Sequence, residues 1–166
     1  MQKVFGLTAS FILIGCLLVS CAGGISEQVR AQVNYFGPFA PVQKDPAKFQ
    51  GDTVLWGGKV IETQVKGSAT DLVVLQLELD SRDRPQDNDQ SQGRFLIRSS
   101  QFMDPALYPQ GTLITVAGRL QGAQTRLIGQ MPYQYPVIEP IEIKKWPVSG
   151  PAPPRFQFGI GIGTSF

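Results

Sequence analysis

Asp71-Leu72-Val73-Val74-Leu75-Gln76-Leu77-Glu78-Leu79-Asp80 is the stretch that sets the fold class. Val73, Leu75, Leu77 and Leu79 fall at every second position, and Gln76, Glu78 and Asp80 alternate with them. Successive side chains of a strand point to opposite faces, so this period of two predicts a strand with one face toward a core. Val73, Leu75, Leu77 and Leu79 are its expected core face.

On its N-terminal side, Thr53–Val65 reads as the preceding strand, and Gly67-Ser68-Ala69-Thr70 as the hairpin turn between the two. The Gly57-Gly58 pair inside the first strand marks a bulge or a sharp bend, as at a barrel corner. Ser81 to Gln92 is polar and acidic, an exposed loop. Gly93–Ser99 resumes as a strand, with Phe95 and Ile97 inward and Arg94, Leu96 and Arg98 opposite. Asp104-Pro105-Ala106-Leu107-Tyr108-Pro109 suits a short helix or 3₁₀ turn. Thr112–Leu120 then places Ile114, Val116, Gly118 and Leu120 on one face, and Gln121-Gly122-Ala123 turns into Thr125–Gln130. A last strand runs from near Val137 to Trp146. The fold class is mainly β: a small OB-like antiparallel barrel of five or six strands with one short helix, or alternatively a β-sandwich.

Before the strands, Ala22 to Lys48 shows little apolar periodicity, and residues 21–48 read as a tether. A flexible segment of that length reaches roughly 30 Å. Asp45-Pro46-Ala47-Lys48-Phe49 reads as one helical turn with proline early. Residues 49–147 are the β domain, and 148–166 form a Pro/Gly-rich tail. In that tail Phe156, Phe158, Ile160 and Ile162 alternate with Gln157 and glycines. The pattern suits a strand added to a sheet edge of this domain or a partner, or a disordered terminus.

The chain has 166 residues, 42% hydrophobic and 17% charged, which suffices for one modest domain. Its formal net charge of +2 is too balanced for a nucleic-acid surface. There is no histidine, and the two cysteines are Cys16 and Cys21. Ser-His-Asp catalysis and Cys/His metal sites are thereby excluded, and no cofactor motif is present.

At the N-terminus, Lys3 precedes an apolar run from Val4 that is short for a bilayer span. The run ends in Leu18-Val19-Ser20-Cys21, which matches a bacterial lipobox. Residues 1–20 are expected to be a signal peptide cleaved between Ser20 and Cys21, with Cys21 carrying the lipid, palmitate included. Two acyl chains anchor stably where one is marginal. Ala22 comes next after the cysteine, and the absence of Asp there fits export to the outer membrane.

The ordered set Gln50-Gly51-Asp52-Thr53-Val54-Leu55-Trp56-Gly57-Gly58, Leu75-Gln76-Leu77-Glu78-Leu79-Asp80, Gly93-Arg94-Phe95-Leu96, Gln101-Phe102-Met103-Asp104-Pro105, Val116-Ala117-Gly118-Arg119-Leu120 and Met131-Pro132-Tyr133-Gln134-Tyr135-Pro136 is similar to the Slp family. These are starvation- or stationary-phase-inducible outer-membrane lipoproteins. The resemblance implies a lipid-anchored envelope protein and supplies no catalytic motif.

Charge and ring chemistry single out the candidate residues. Lys59, Arg94, Arg98, Arg119 and Arg126 lie on strands that would adjoin in such a barrel. On one outward face they would form an anion-binding surface for an envelope glycan or anionic lipid, since guanidinium forks pair with phosphate and carboxylate. Glu62 and Glu78 are the carboxylate pair that glycan hydrolysis would need, although a solvated face explains both. Asp80, Asp83, Asp87 and Asp89 form an acidic loop without the EF-hand register. Trp56, Tyr133, Tyr135 and Trp146 would line a binding surface or pack the core. The expectation is a non-enzymatic outer-membrane lipoprotein that serves envelope maintenance or stress adaptation. Its partners would be the membrane, through the lipid, and an envelope protein or glycan, with no nucleic acid.

Overall fold

The computed structural model describes residues 24–88 and 90–147. The signal segment, the lipobox with Ser20 and Cys21, Asp89, and the 148–166 tail lie outside the described residues. Five strands, β1 (Thr53–Lys66), β2 (Ala69–Leu77), β3 (Arg94–Ser99), β4 (Leu113–Ile128) and β5 (Met131–Trp146), close a barrel in the order β1-β2-β3-β5-β4. Every pair is antiparallel except β3 with β5, which meet in parallel through Leu96–Val137 and Ile97–Ile138. This is the OB arrangement.

The glycine pair works as its sequence position suggests. Gly57 pairs with Leu77 of β2 on one side and Thr115 of β4 on the other, so β1 serves both ladders at this point. A Cβ on Gly58 would sit 2.4 Å from the Leu75 carbonyl oxygen, too close for any side chain. One residue is bulged between Val60 and Glu62, which adds the local twist that a closed barrel needs.

Phe95, Ile97, Ile114, Val116 and Leu120 point inward as the alternation predicts. In β2 the faces are reversed from expectation: Leu72 and Val74 fill the barrel, while Val73 points outward. The reason is a second core outside the barrel. β4 and β5 continue past the closure as a long curled hairpin, pairing as far as Ile128–Met131. Tyr135 and Val137 of this arm cover Val73 and Leu96, with Tyr133 and Ile128 at the margin. Both faces of β2 are therefore buried, and alternation cannot say which is the interior.

The same arm settles the strand count at five, within the expected five or six, and moves the expected turn. Gln121-Gly122-Ala123 is not a turn, because β4 runs through it with a register shift between Leu120 and Gly122. Gly122 takes a φ of 107° there, which makes it a bulge residue. The true turn is Gly129-Gln130. Pro132, Pro136 and Pro140 lie in β5 but share one parity. Their missing N–H groups consequently fall on the edge turned away from β4. Between β3 and β4, residues 104–108 form turns, with Leu107 N–H donating to Asp104 O and Tyr108 N–H to Pro105 O.

The segment read as a tether is folded from Gly24 onward. It contains α1 (Glu27–Arg30), α2 (Phe39–Lys44) and the expected turn, a 3₁₀ helix at Pro46–Phe49. Ile25, Val33, Phe39 and Val42 are all buried. Phe39 plugs one end of the barrel, its ring centroid 4.8 Å from Trp56 and 6.1 Å from Phe95. Scattered anchors at irregular spacing, rather than a helical period, hold this segment. For that reason it lacks an amphipathic signature.

Candidate functional site

Two of the five candidate cations converge. Asp71 of β2 stands opposite Arg98 of β3 in the ladder, and its side chain is only 3% exposed. Arg98 donates from Nε to Asp71 Oδ1 at 3.0 Å, Lys66 from Nζ to Oδ2 at 2.9 Å, and Arg126 also reaches Oδ2. Arg126 arrives from the curled arm and donates to Gln64 and Gln124 as well. Burial alone would raise the Asp71 carboxyl pKa. The hydrogen bonds from Arg98, Lys66 and Arg126 outweigh it and hold the group far below the usual carboxylate range.

Three cations around one carboxylate leave a local excess of positive charge. Lys66 and Arg98 remain about half exposed and Arg126 is nearly covered. Arg94 shares the outward face of β3 but lies four positions from Arg98, roughly 13 Å along the strand. Lys59 pairs instead with Asp87, and Arg119 is exposed on β4 beside the β1 ladder. The arginine face is thus split. Lys66, Gln64, Gln124 and Asp71 are the members that sequence reading missed. The readable signal was Asp71 itself, a carboxylate leading directly into the apolar run Leu72–Leu75.

Glu62 and Glu78 do not form a pair. Glu62 stands opposite Val73, whereas Leu77, the neighbour of Glu78, stands opposite Gly57. Five or more residue steps along β1 separate the two by roughly 17 Å, beyond the roughly 9.5 Å that an inverting glycosidase spans. Both are exposed. A groove of about 350 Å³ opens where β3 and β5 diverge, between Phe102 and Met103 on one wall and Glu139–Ile143 on the other. Its carboxylates are engaged, Glu139 by Gln121 Nε2 and Glu142 by Ser26.

The aromatic candidates serve packing. Trp56 is in the barrel core, and Trp146 donates from Nε1 to Thr115 Oγ1 at 2.9 Å. Tyr133 and Tyr135 meet edge to face at 4.7 Å. The Tyr133 hydroxyl accepts from Gln43 Nε2 and from the Arg94 backbone N–H, tying α2 to the arm.

The 81–88 loop is a clamp. Asp80 accepts from the backbone N–H groups of Arg82 and Arg84, which fixes the turn and lowers its pKa. Asp83 sits at φ 62° and pairs with Arg30 of α1, while its carbonyl accepts from Thr115 Oγ1. Arg84 donates to the carbonyl of Pro147 at 3.2 Å. Asp80 and Asp83 are thereby committed to structure, as is Asp87 through Lys59.

Residues 18–159 match the model of the outer membrane lipoprotein Slp family. The chain belongs to this family. It is 31% identical over 139 residues to the uncharacterized lipoprotein YeaY of Escherichia coli (strain K12), covering 84% of this chain and 69% of that protein. It is 30% identical over 142 residues to the outer membrane protein Slp of the same strain, covering 84% and 72%. An uncharacterized protein of Haemophilus influenzae is 30% identical over 147 residues, covering 88% and 76%. A small single-stranded DNA-binding protein from Streptomyces coelicolor aligns at 12% identity and a TM-score of 0.37 over 57% of this chain and 94% of that one, too weak a likeness to bear on function. Slp membership makes this an outer-membrane lipoprotein with a barrel domain.

Proposed function

We propose that this Slp-family protein is a non-enzymatic envelope component, acylated at Cys21 after cleavage behind Ser20. Its barrel is held against the outer membrane to bind an envelope partner, in the service of envelope maintenance or stress adaptation. One observation carries this reading. Gly24 already packs against Asp83 and Ile25 is buried, so only three residue steps separate Cys21 from the folded domain. Such a spacer spans about 10 Å at most. An anchor so close confines the barrel to the headgroup layer and raises its effective concentration toward partners there.

Labelling cells with radioactive palmitate tests it. The native chain should take up label and fractionate with the outer membrane, and Cys21→Ala should do neither. A native chain that takes up no label, or label that persists in Cys21→Ala, would overturn the anchor.

The Asp71 cluster favours a second reading, recognition of a phosphate-bearing glycolipid by Lys66 and Arg98. Titration with lipopolysaccharide should then show affinity that falls with salt and falls again in Lys66→Gln. Salt-independent binding, or none, would remove this reading.

A further inference from the structure

Phe36 is 83% exposed, the most exposed large apolar residue among those described. The backbone around it is nonetheless pinned. Asn34 and Tyr35 both donate their N–H groups to Thr53 O, at 3.1 and 3.2 Å, and Asn34 Oδ1 accepts from Thr53 N–H at 2.7 Å. Tyr35 bridges to Val54, meets Phe49 edge to face at 5.1 Å and donates its hydroxyl to Pro38 O at 2.8 Å. A fixed turn therefore holds an apolar ring out in water, where it adds nothing to the core. Single exposed apolar residues are common on protein surfaces, and exposure alone assigns no role. The position of this one does.

Phe36 shares a cleft of about 180 Å³ with Arg30, Val33, Tyr35, Leu55 and Trp56. Arg30 pairs with Asp83, and Gly24 lies against the same carboxylate. Two side chains thus join Gly24 to the Phe36 cleft. Cys21 is three residues upstream of Gly24 and at most about 10 Å from it. An acyl anchor at Cys21 brings the bilayer surface to this end of the barrel. Arg30 is about half exposed here, and Arg82 is exposed on the 81–88 loop. The arm tip is the contrasting case. Met131 is 73% exposed, but it pairs with Ile128, roughly 40 Å along β4 from Thr115, whose hydroxyl donates to Asp83 O.

From this placement we infer that the Phe36 end of the barrel rests on a phospholipid surface, with the Phe36 ring in the headgroup–acyl boundary and Arg30 and Arg82 at the phosphates. The partner is the bilayer that holds the Cys21 lipid, and the inference rests on that acylation. Burial of the ring removes apolar area from water, and the guanidinium groups add attraction to anionic headgroups. The lipid alone leaves the domain free to roll on its spacer. A ring fixed to the fold beside the anchor selects one orientation and turns the arm tip away from the bilayer.

The test uses the full acylated chain with one thiol introduced per protein. Cys16 and Cys21 are the only native cysteines, one in the segment expected to be cleaved and one acylated, so the new thiol is the sole site for an environment-sensitive fluorophore. Phe36→Cys reports on the inferred contact, and Met131→Cys on a similarly exposed apolar position at the far end. Gln32→Cys, also at an exposed position, keeps the native ring and is compared with the same label in Phe36→Asp. The proteins are reconstituted into vesicles of phosphatidylethanolamine and phosphatidylglycerol, with and without lipid carrying a nitroxide near the top of the acyl chain.

The label at 36 should be blue-shifted and quenched about threefold by the nitroxide lipid, and the label at 131 should change by less than about a tenth. Quenching at 32 should fall about twofold in Phe36→Asp. A label at 36 that stays in water overturns the inference, and so does a label at 131 quenched as strongly as the one at 36. A label at 36 that is blue-shifted but left bright by nitroxide lipid also overturns it, since the ring would be docked on protein. Quenching at 32 that ignores Phe36→Asp would assign the approach to the lipid alone and remove the role of the ring. Flotation separates these failures from failure of the anchor. A chain that floats with an unquenched 36 label keeps the Cys21 lipid and loses the contact. A chain that does not float loses both.

Discussion

Arg98 and Asp71 are register partners across the β2–β3 ladder, and the guanidinium Nε meets Asp71 Oδ1 at 3.0 Å on the outer wall of the barrel. Opposite charges directly across a ladder stabilise it modestly. Here the carboxylate is buried and two further cations converge on it, so more depends on the pair. Removing the carboxylate leaves three positive groups against one another. Asp71→Asn is expected to destabilise the domain by about 2 kcal/mol at neutral pH, below the 3–5 kcal/mol of fully buried pairs because Lys66 and Arg98 are screened by solvent. Urea denaturation of the two proteins measures it. The pH dependence has a definite sign. The folded pKa of Asp71 lies below its unfolded value, so the unfolded chain binds the extra proton. The contribution is complete above about pH 4 and is lost as pH falls toward the folded pKa. The gap between native and Asp71→Asn proteins should shrink below pH 4. A gap that stays constant on acidification would show that the carboxylate charge is not what stabilises the cluster.

Gly58→Ala should be the most damaging single-atom addition in the barrel wall. The new Cβ meets a backbone oxygen of β2 and a methyl of Val74, both at 2.4 Å, and neither is a flexible side-chain end. The expected cost is about 3 kcal/mol. Gly67→Ala at the open hairpin tip meets no atom within 4 Å and suffers only its φ of 63°, so it should cost about 1 kcal/mol. Thermal unfolding of both variants gives the comparison. Equal shifts would mean that the strands at Gly58 can part to admit a methyl group.

Much of the barrel was legible, for reasons visible in particular residues. Phe95, Ile97, Ile114, Val116 and Leu120 alternate against polar neighbours, so their inward direction came from period alone. β2 was misassigned because Leu72-Val73-Val74-Leu75 is apolar on both sides, and only the β4–β5 arm decides the matter. Gly122 looked like a turn because a positive-φ glycine serves turns and bulges alike. The site was less legible still. Arg126 reaches Asp71 across 55 positions, a meeting that depends on how far a hairpin curls and not on any local pattern.

Phe39 tests whether the N-terminal segment is structural. Its ring is 3% exposed and sits edge-on to Trp56 at the end of the barrel. Phe39→Ala should cost about 3 kcal/mol, as for other buried aromatic truncations. Trp56 emission should shift to the red as water reaches the indole. A cost under about 0.5 kcal/mol, the value for an ordinary surface change, would return this segment to the status of a tether.

Asp83 holds that segment at its other end, and its loss should be local. Asn tolerates the left-handed backbone at this position, so Asp83→Asn keeps the turn while removing the charge that meets Arg30. The Arg30 side chain is 45% exposed and Asp83 13%, so the ion pair is worth about 1 kcal/mol. The expectation is an opening of residues 24–33 about fivefold more often, with the barrel unaffected. Hydrogen exchange at the amides of Ala31 and Val33, which donate to Glu27 O and Arg30 O, reads the opening directly. Exchange at Ile114 and Val116 in the barrel should not change. If the barrel amides accelerate in step, the clamp is part of the global fold and not a local latch. If neither group accelerates, the Thr115–Asp83 and Ser26–Glu142 hydrogen bonds hold the segment without the ion pair.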